Sequence, residues 1–106
     1  MAQNVNTLEA YFPVPGVTHA DETVDATVRQ LAALNAATRL VMVSVSADIL
    51  ATFDGTDPVS GGHGHKYVVD DVIHMNEVSA AAFKWVEAET GVTGLMTVTE
   101  LQRVRN

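Results

Sequence analysis

Cysteine is absent from the 106 residues, which excludes a disulfide scaffold, a thiolate zinc site and a thiol nucleophile. Stability must come from packing, and a chain of this length forms one small domain that folds without covalent staples. Cations are scarce too: 6 Lys and Arg stand against 13 Asp and Glu, a formal net charge of −7. Scattered cations on an acidic chain make no basic stripe for phosphates, so nucleic acid is not an expected partner. No run approaches the roughly 20 apolar residues of a membrane span. Met1-Ala2-Gln3-Asn4 also lacks the basic start and apolar stretch of a secretion signal. The expectation is a soluble product made in the cytoplasm, without a membrane partner. No internal repeat or low-complexity tract is present.

Proline is rare as well, and two of the 3 fall inside Tyr11-Phe12-Pro13-Val14-Pro15-Gly16-Val17. Proline fixes φ and removes a ladder donor, so this segment favours extended geometry and does not suit a central strand. Residues 1–20 read as an extended N-terminal arm and residues 21–106 as the main domain. Chain ends are disordered unless tied down, so an arm carrying aromatics packs either on its own domain or on a neighbouring subunit.

From residue 39 a period of two takes over. Val41, Val43 and Val45 point one way, and Met42, Ser44 and Ser46 the other, which predicts a strand over 39–46. A second run puts Ile49, Ala51 and Phe53 on one face and Leu50, Thr52 and Asp54 on the other. Asp54-Gly55-Thr56-Asp57-Pro58 then signals a turn, and Ser60-Gly61-Gly62-His63-Gly64 extends the loop. Tyr67, Val69, Ile73 and Met75 alternate around a turn at Asp70 and Asp71. Ala81, Phe83 and Trp85 share a face, with Lys84 and Glu87 as polar punctuation, and residues 95–101 form a last β-rich run. Short strands at near-regular spacing predict an all-β fold, a small antiparallel β-sandwich or jelly-roll-like barrel. Residues 23–34 fit two periods: Val24, Val28, Leu31 and Ala32 make a helical stripe, while Val24, Ala26 and Val28 also alternate as a strand would. Periodicity leaves the two open.

Few side chains cluster in patterns that carry chemistry. His63-Gly64-His65 would put two imidazoles on one strand face, and Asp70 could complete a two-His-one-carboxylate metal site. This resembles the first motif of cupins, with Asp70 in place of the Glu. The leading glycine is out of register and His74 is too close to supply the second motif, so exposed loop positions are expected for both histidines. Asp54 and Asp57 suit turn capping better than calcium, since the spacing is not an EF-hand loop. Ser44, Ser46 and Ser60 sit in no nucleophile elbow, and Gly61-Gly62-His63-Gly64 lacks the Lys-Ser/Thr of a phosphate loop. Trp85, Phe83 and Tyr67 could stack a sugar in a carbohydrate-binding module, but aromatics on an alternating strand usually belong to the core. No catalytic, cofactor-binding or metal-binding residue follows from these patterns.

The order of these segments resembles a known family over residues 24–101, about three quarters of the chain. Thr27-Val28-Arg29-Gln30-Leu31 is followed by Thr38-Arg39-Leu40-Val41-Met42-Val43, a short strand with a Gly-containing turn and a Gly-His loop. Met96-Thr97-Val98-Thr99-Glu100-Leu101 closes the series. The pattern is similar to the small β-sandwich structural proteins of tailed bacteriophages, some of which decorate or cement the head. The resemblance implies extended structure over 23–31 and an arm that crosses neighbouring capsid subunits. It also implies a non-enzymatic virion protein on the capsid surface, made in the host cytoplasm. The implied partners are the major capsid protein and further copies of the chain, as a dimer or trimer. Tyr11, Phe12 and Val14 are the arm residues expected to enter partner pockets, because aromatics dominate binding hot spots. Another head-tail or tail structural role and the cupin-like enzyme using His63 and His65 are the alternatives. A shorter likeness, of residues 49–58 to the Tyr-Thr-x-Asp-Gly-Ser-Asp-Pro hairpin of chitobiase-like C-terminal domains, reflects shared turn chemistry.

Overall fold

The alternation expected over 39–46 is realised as strand β4 (Thr38–Val45), with Val41, Val43 and Val45 buried and Met42 and Ser44 half-buried on the other side. The computed structural model describes residues 10–14 and 21–104; the remainder of the expected arm, residues 1–9 and 15–20, lies outside the described residues, as do 105 and 106. The other strands are β1 (Ala10–Pro13), β2 (Glu22–Val24), β3 (Arg29–Gln30), β5 (Ile49–Thr52), β6 (His65–Tyr67), β7 (Val72–Asn76), β8 (Lys84–Glu87) and β9 (Gly94–Val104). In the five-stranded sheet β4 lies between β7 and β9, and the far edge of β9 carries β1 and β2. The second sheet runs β3-β8-β5-β6. Every pairing is antiparallel and the inner faces share one apolar core, so the fold is the expected all-β sandwich.

The ambiguous segment is extended, but it is not one strand. β2 belongs to the first sheet and β3 to the second, and the chain crosses between them at residues 25–27. Asp25 makes that bend. Its carboxylate accepts from the Thr27 amide at 3.0 Å and holds the Arg29 guanidinium through Nε at 3.1 Å and Nη2 at 2.8 Å. The expected turn at Asp70 and Asp71 also joins two sheets, since β6 pairs with β5 and β7 with β4. Asp48 ties this corner to the β4–β5 corner by accepting from the Val69 amide at 3.0 Å.

One expectation needs correction. Ala81 does not share a strand face with Phe83 and Trp85, because residues 77–82 form a helix, α1 (Glu77–Ala82), and Ala81 is exposed. Asn76 caps the helix by accepting from the Ser79 amide at 2.8 Å, Glu77 favours its first turn, and Ala80 plugs the core. Leu50 lies on the face opposite Ile49 and Ala51, as the alternation predicts. All of β5 is buried, and Leu50 joins Val86 and Ala88 in a second apolar cluster on the outer side.

Trp85 and Phe83 are wholly buried, and together they extend a column of rings: Phe53 stacks on Phe83 and Phe83 on Trp85, each with centroids 5.4 Å apart. Burial of each large side chain stabilises by about 2–3 kcal/mol. The indole Nε1 donates to the Thr23 carbonyl at 3.0 Å, pinning the second sheet to the first. Glu100, buried on the inner side of β9, does the same for the loop before β4. Its Oε1 accepts from the Asn35 amide at 2.8 Å and from the Thr38 hydroxyl at 2.5 Å. Removing that acceptor strands two donors. Glu100→Ala should therefore lower stability by about 2–4 kcal/mol in denaturant unfolding, and Glu100→Gln, which keeps an acceptor oxygen, by clearly less.

Candidate functional site

The expected histidine pair lies at one end of the four-stranded sheet. His63 is an exposed loop residue and His65, also exposed, opens β6. With Thr52, Phe53, Asp54 and Gly64 they line an open cleft of about 390 Å³. Its floor is Phe53, the outer end of the aromatic column, with the His65 ring tilted 42° beside it at 6.1 Å. The loop is firmly held. Gly61 donates to the Ala88 carbonyl at 2.7 Å, Val59 to the His63 carbonyl at 2.8 Å, and the Thr52 hydroxyl to the Thr56 carbonyl at 2.5 Å. Gly64, at φ 140°, sits where a Cβ would lie 3.0 Å from Leu50 Cβ, so only glycine lets the loop close on β5.

Asp54 turns the chain at the cleft mouth, accepting from the Thr56 hydroxyl at 2.6 Å and the Thr56 amide at 3.1 Å. The single proton of that hydroxyl is thereby committed, so toward His63 Nε2, 3.4 Å away, Thr56 can only accept. The chain Asp54–Thr56–His63 orients an imidazole; it does not activate a nucleophile. Both imidazoles face outward instead of into a barrel interior, and among the described residues no three of His, Cys, Asp and Glu gather as a metal-binding group. Trp85 and Phe83 lie in the core, which leaves Phe53 and Tyr67 as the rings nearest the cleft, edge to face at 6.3 Å.

A different surface carries Tyr11, Val72 and Leu95, three of the eight exposed large apolar side chains among the described residues. Outward positions of the five-stranded sheet are Tyr11 and Pro13 on β1, Thr23 on β2, Leu40, Met42 and Ser44 on β4, and Val72, His74 and Asn76 on β7. On β9 they are Leu95, Thr97, Thr99, Leu101 and Arg103. None of them is Asp or Glu, although the chain carries 13 such residues. Carboxylates stay at one end of the face, where Asp21 accepts from the Thr97 hydroxyl at 3.3 Å and, with Asp70, borders an open depression of about 410 Å³.

Of the three arm residues, Tyr11 and Phe12 are 38% and 51% exposed, while Val14 is buried at 6% with its amide donating to the Glu100 carbonyl at 3.0 Å. The described part of the arm thus packs on its own domain as an edge strand, and Val14 is not placed to enter a partner pocket. No family model, curated protein or solved structure matches the chain.

Charge also shapes acid stability. The Thr56 hydroxyl, then the Thr56 amide, hold the Asp54 carboxyl below the ordinary carboxylate range; Asp25 is lowered first by Arg29, then by the Thr27 amide. A depressed folded pKa adds stability that is complete above the unfolded value of roughly 4 and is lost as pH falls through the folded value. Asp54→Asn should therefore flatten the fall in melting temperature between about pH 5 and pH 2 relative to the parent chain. An unchanged slope would show that the Thr56 contacts do not persist in solution.

Proposed function

We propose that the chain is a non-enzymatic structural protein that adheres to a protein lattice, in the form implied by its resemblance to phage head decoration and cement proteins. The observation that carries this reading is the carboxylate-free face of the five-stranded sheet, with Leu95 and Val72 about half exposed and Tyr11 at its β1 margin. An acidic protein meets a protein partner with the fewest buried charges through such a face, since unpaired carboxylates are costly to desolvate. The remaining acidic surface keeps the free chain soluble and steers its approach to a basic partner patch. Binding across subunit junctions raises the cost of separating them, which is how a cement protein works. The capsid surface is the proposed location and the major capsid protein the proposed partner.

Sedimentation with empty, undecorated phage capsids tests this directly. Saturable binding is expected, weakened at least about tenfold by Leu95→Glu, which buries a charge in the contact, and several-fold by Tyr11→Ala. Both positions are exposed, so the fold survives either change. Absence of binding by the parent chain, or equal binding by Leu95→Glu, would sink the lattice-docking role for this face.

A further inference from the structure

We infer that two copies of this chain associate edge to edge through β7, extending the five-stranded sheets into one continuous sheet across a two-fold axis. Sheet edges offer unpaired backbone groups, and proteins blunt them with proline, charge or brevity. Four of the five edge strands among the described residues are blunted. β1 ends in Pro13, β2 has three residues including Glu22, β3 has two residues and the Asp25–Arg29 ion pair beside it, and β6 has three residues including Lys66. β7, Val-Ile-His-Met-Asn, has five residues with neither proline nor a Lys, Arg, Asp or Glu, and among the described residues its ladder runs to β4 alone.

The strand and its flanks are complementary to themselves. In an antiparallel pairing centred on His74, Val72 lies opposite Asn76 of the second copy, Ile73 opposite Met75, and His74 opposite itself. Ile73 and Met75 stay on the core side and His74 on the outer side, so the hydrophobic pattern carries across the axis unbroken. Beyond the strand, the first turn of α1 in one copy, with Val78, approaches the Val68, Val69 and Val72 corner of the other. These are exposed apolar side chains: Val78 72%, Val72 51%, Val69 47% and Val68 45%. Half of the exposed large apolar residues among the described ones therefore lie on this short stretch. A strand from an unrelated chain would satisfy the backbone, but only a second copy brings Val78 to the valine corner on both sides of the axis.

Asp71 and Glu77 face each other at the margins of this register, so salt should tighten the pairing by screening them. The contact is small, which points to a dissociation constant on the order of 10–100 μM. The pairing stands independently of lattice binding, because it is read in solution with the chain alone.

Sedimentation velocity of the full chain between about 5 and 500 μM, at low and moderate salt, should show a monomer passing to a dimer, more readily at the higher salt. His74 is exposed, so His74→Lys and His74→Glu retain the fold, checked by Trp85 fluorescence, yet each sets like charges face to face and should be monomeric. Mixing the two variants should restore the dimer, because Lys then opposes Glu. Val78→Arg provides a second disruption outside the strand. A parent chain that stays monomeric at the highest concentration overturns the inference. So does dimerisation unaffected by His74→Lys and Val78→Arg, and so does a mixture of the Lys and Glu variants that fails to associate.

Discussion

Backbone pairing along β9 is the constraint on which the remaining structure depends. Its eleven residues give β4 a full-length partner on one side and hold β1 and β2 in line on the other. The inner side of the same strand supplies Met96 and Val98 to the core and Glu100 to the loop before β4. Its start is equally constrained. At Gly94 a Cβ would lie 2.6 Å from Ala47 Cβ, so the absence of a side chain lets the β4–β5 corner close over the strand. Ser46 then locks that corner, its amide donating to the Leu95 carbonyl and its hydroxyl accepting from the Leu95 amide, both at 2.9 Å. One strand thus positions one edge of its sheet, the central strand β4, the corner into the second sheet, and a buried carboxyl.

Where one face of a strand is buried and the other wet, the sequence was legible. β4 alternates cleanly, and its existence and facing follow from period two alone, whereas β9 reads only as a β-rich run because Glu100 faces in and Leu95 and Leu101 face out. On β5 alternation separated the two faces, but not that both are covered: the loop over residues 54–64 lies on the outer side, so Leu50 and Thr52 are as hidden as Ile49 and Ala51. Residues 23–34 were ambiguous for a physical reason: the chain changes sheets at Asp25, and neither period holds across a crossing. Helix α1 is under two turns, too short for a stripe to register, yet Asn76 followed by Glu77 and a run of alanines is a capping signal that could have found it. The cleft over Phe53 joins residues 52–54 to 63–65 through a folded loop, and nothing in their spacing announces that the aromatic column ends there. The carboxylate-free face was visible in principle. Once β4, β7 and β9 are placed, every second residue of each can be checked for acids.

That segregation of charge links the two proposed surfaces. A chain of net charge −7 repels its own copies at long range, so self-association needs a contact where carboxylates are few. β7 meets this requirement, and it borders the same face proposed to meet a lattice. Pairing across β7 leaves β1, with Tyr11 and Phe12, at the two far margins and places both outward faces side by side. Under the lattice proposal the second face then binds intramolecularly, at an effective concentration set by the rigid sheet instead of by a flexible linker. Rigidity cuts both ways. Two sites at the matching spacing would be held far more tightly than one, whereas any other spacing would allow only one face to engage. A weak dimer therefore serves this reading better than a permanent one, because the lattice itself can select the paired form wherever its geometry fits.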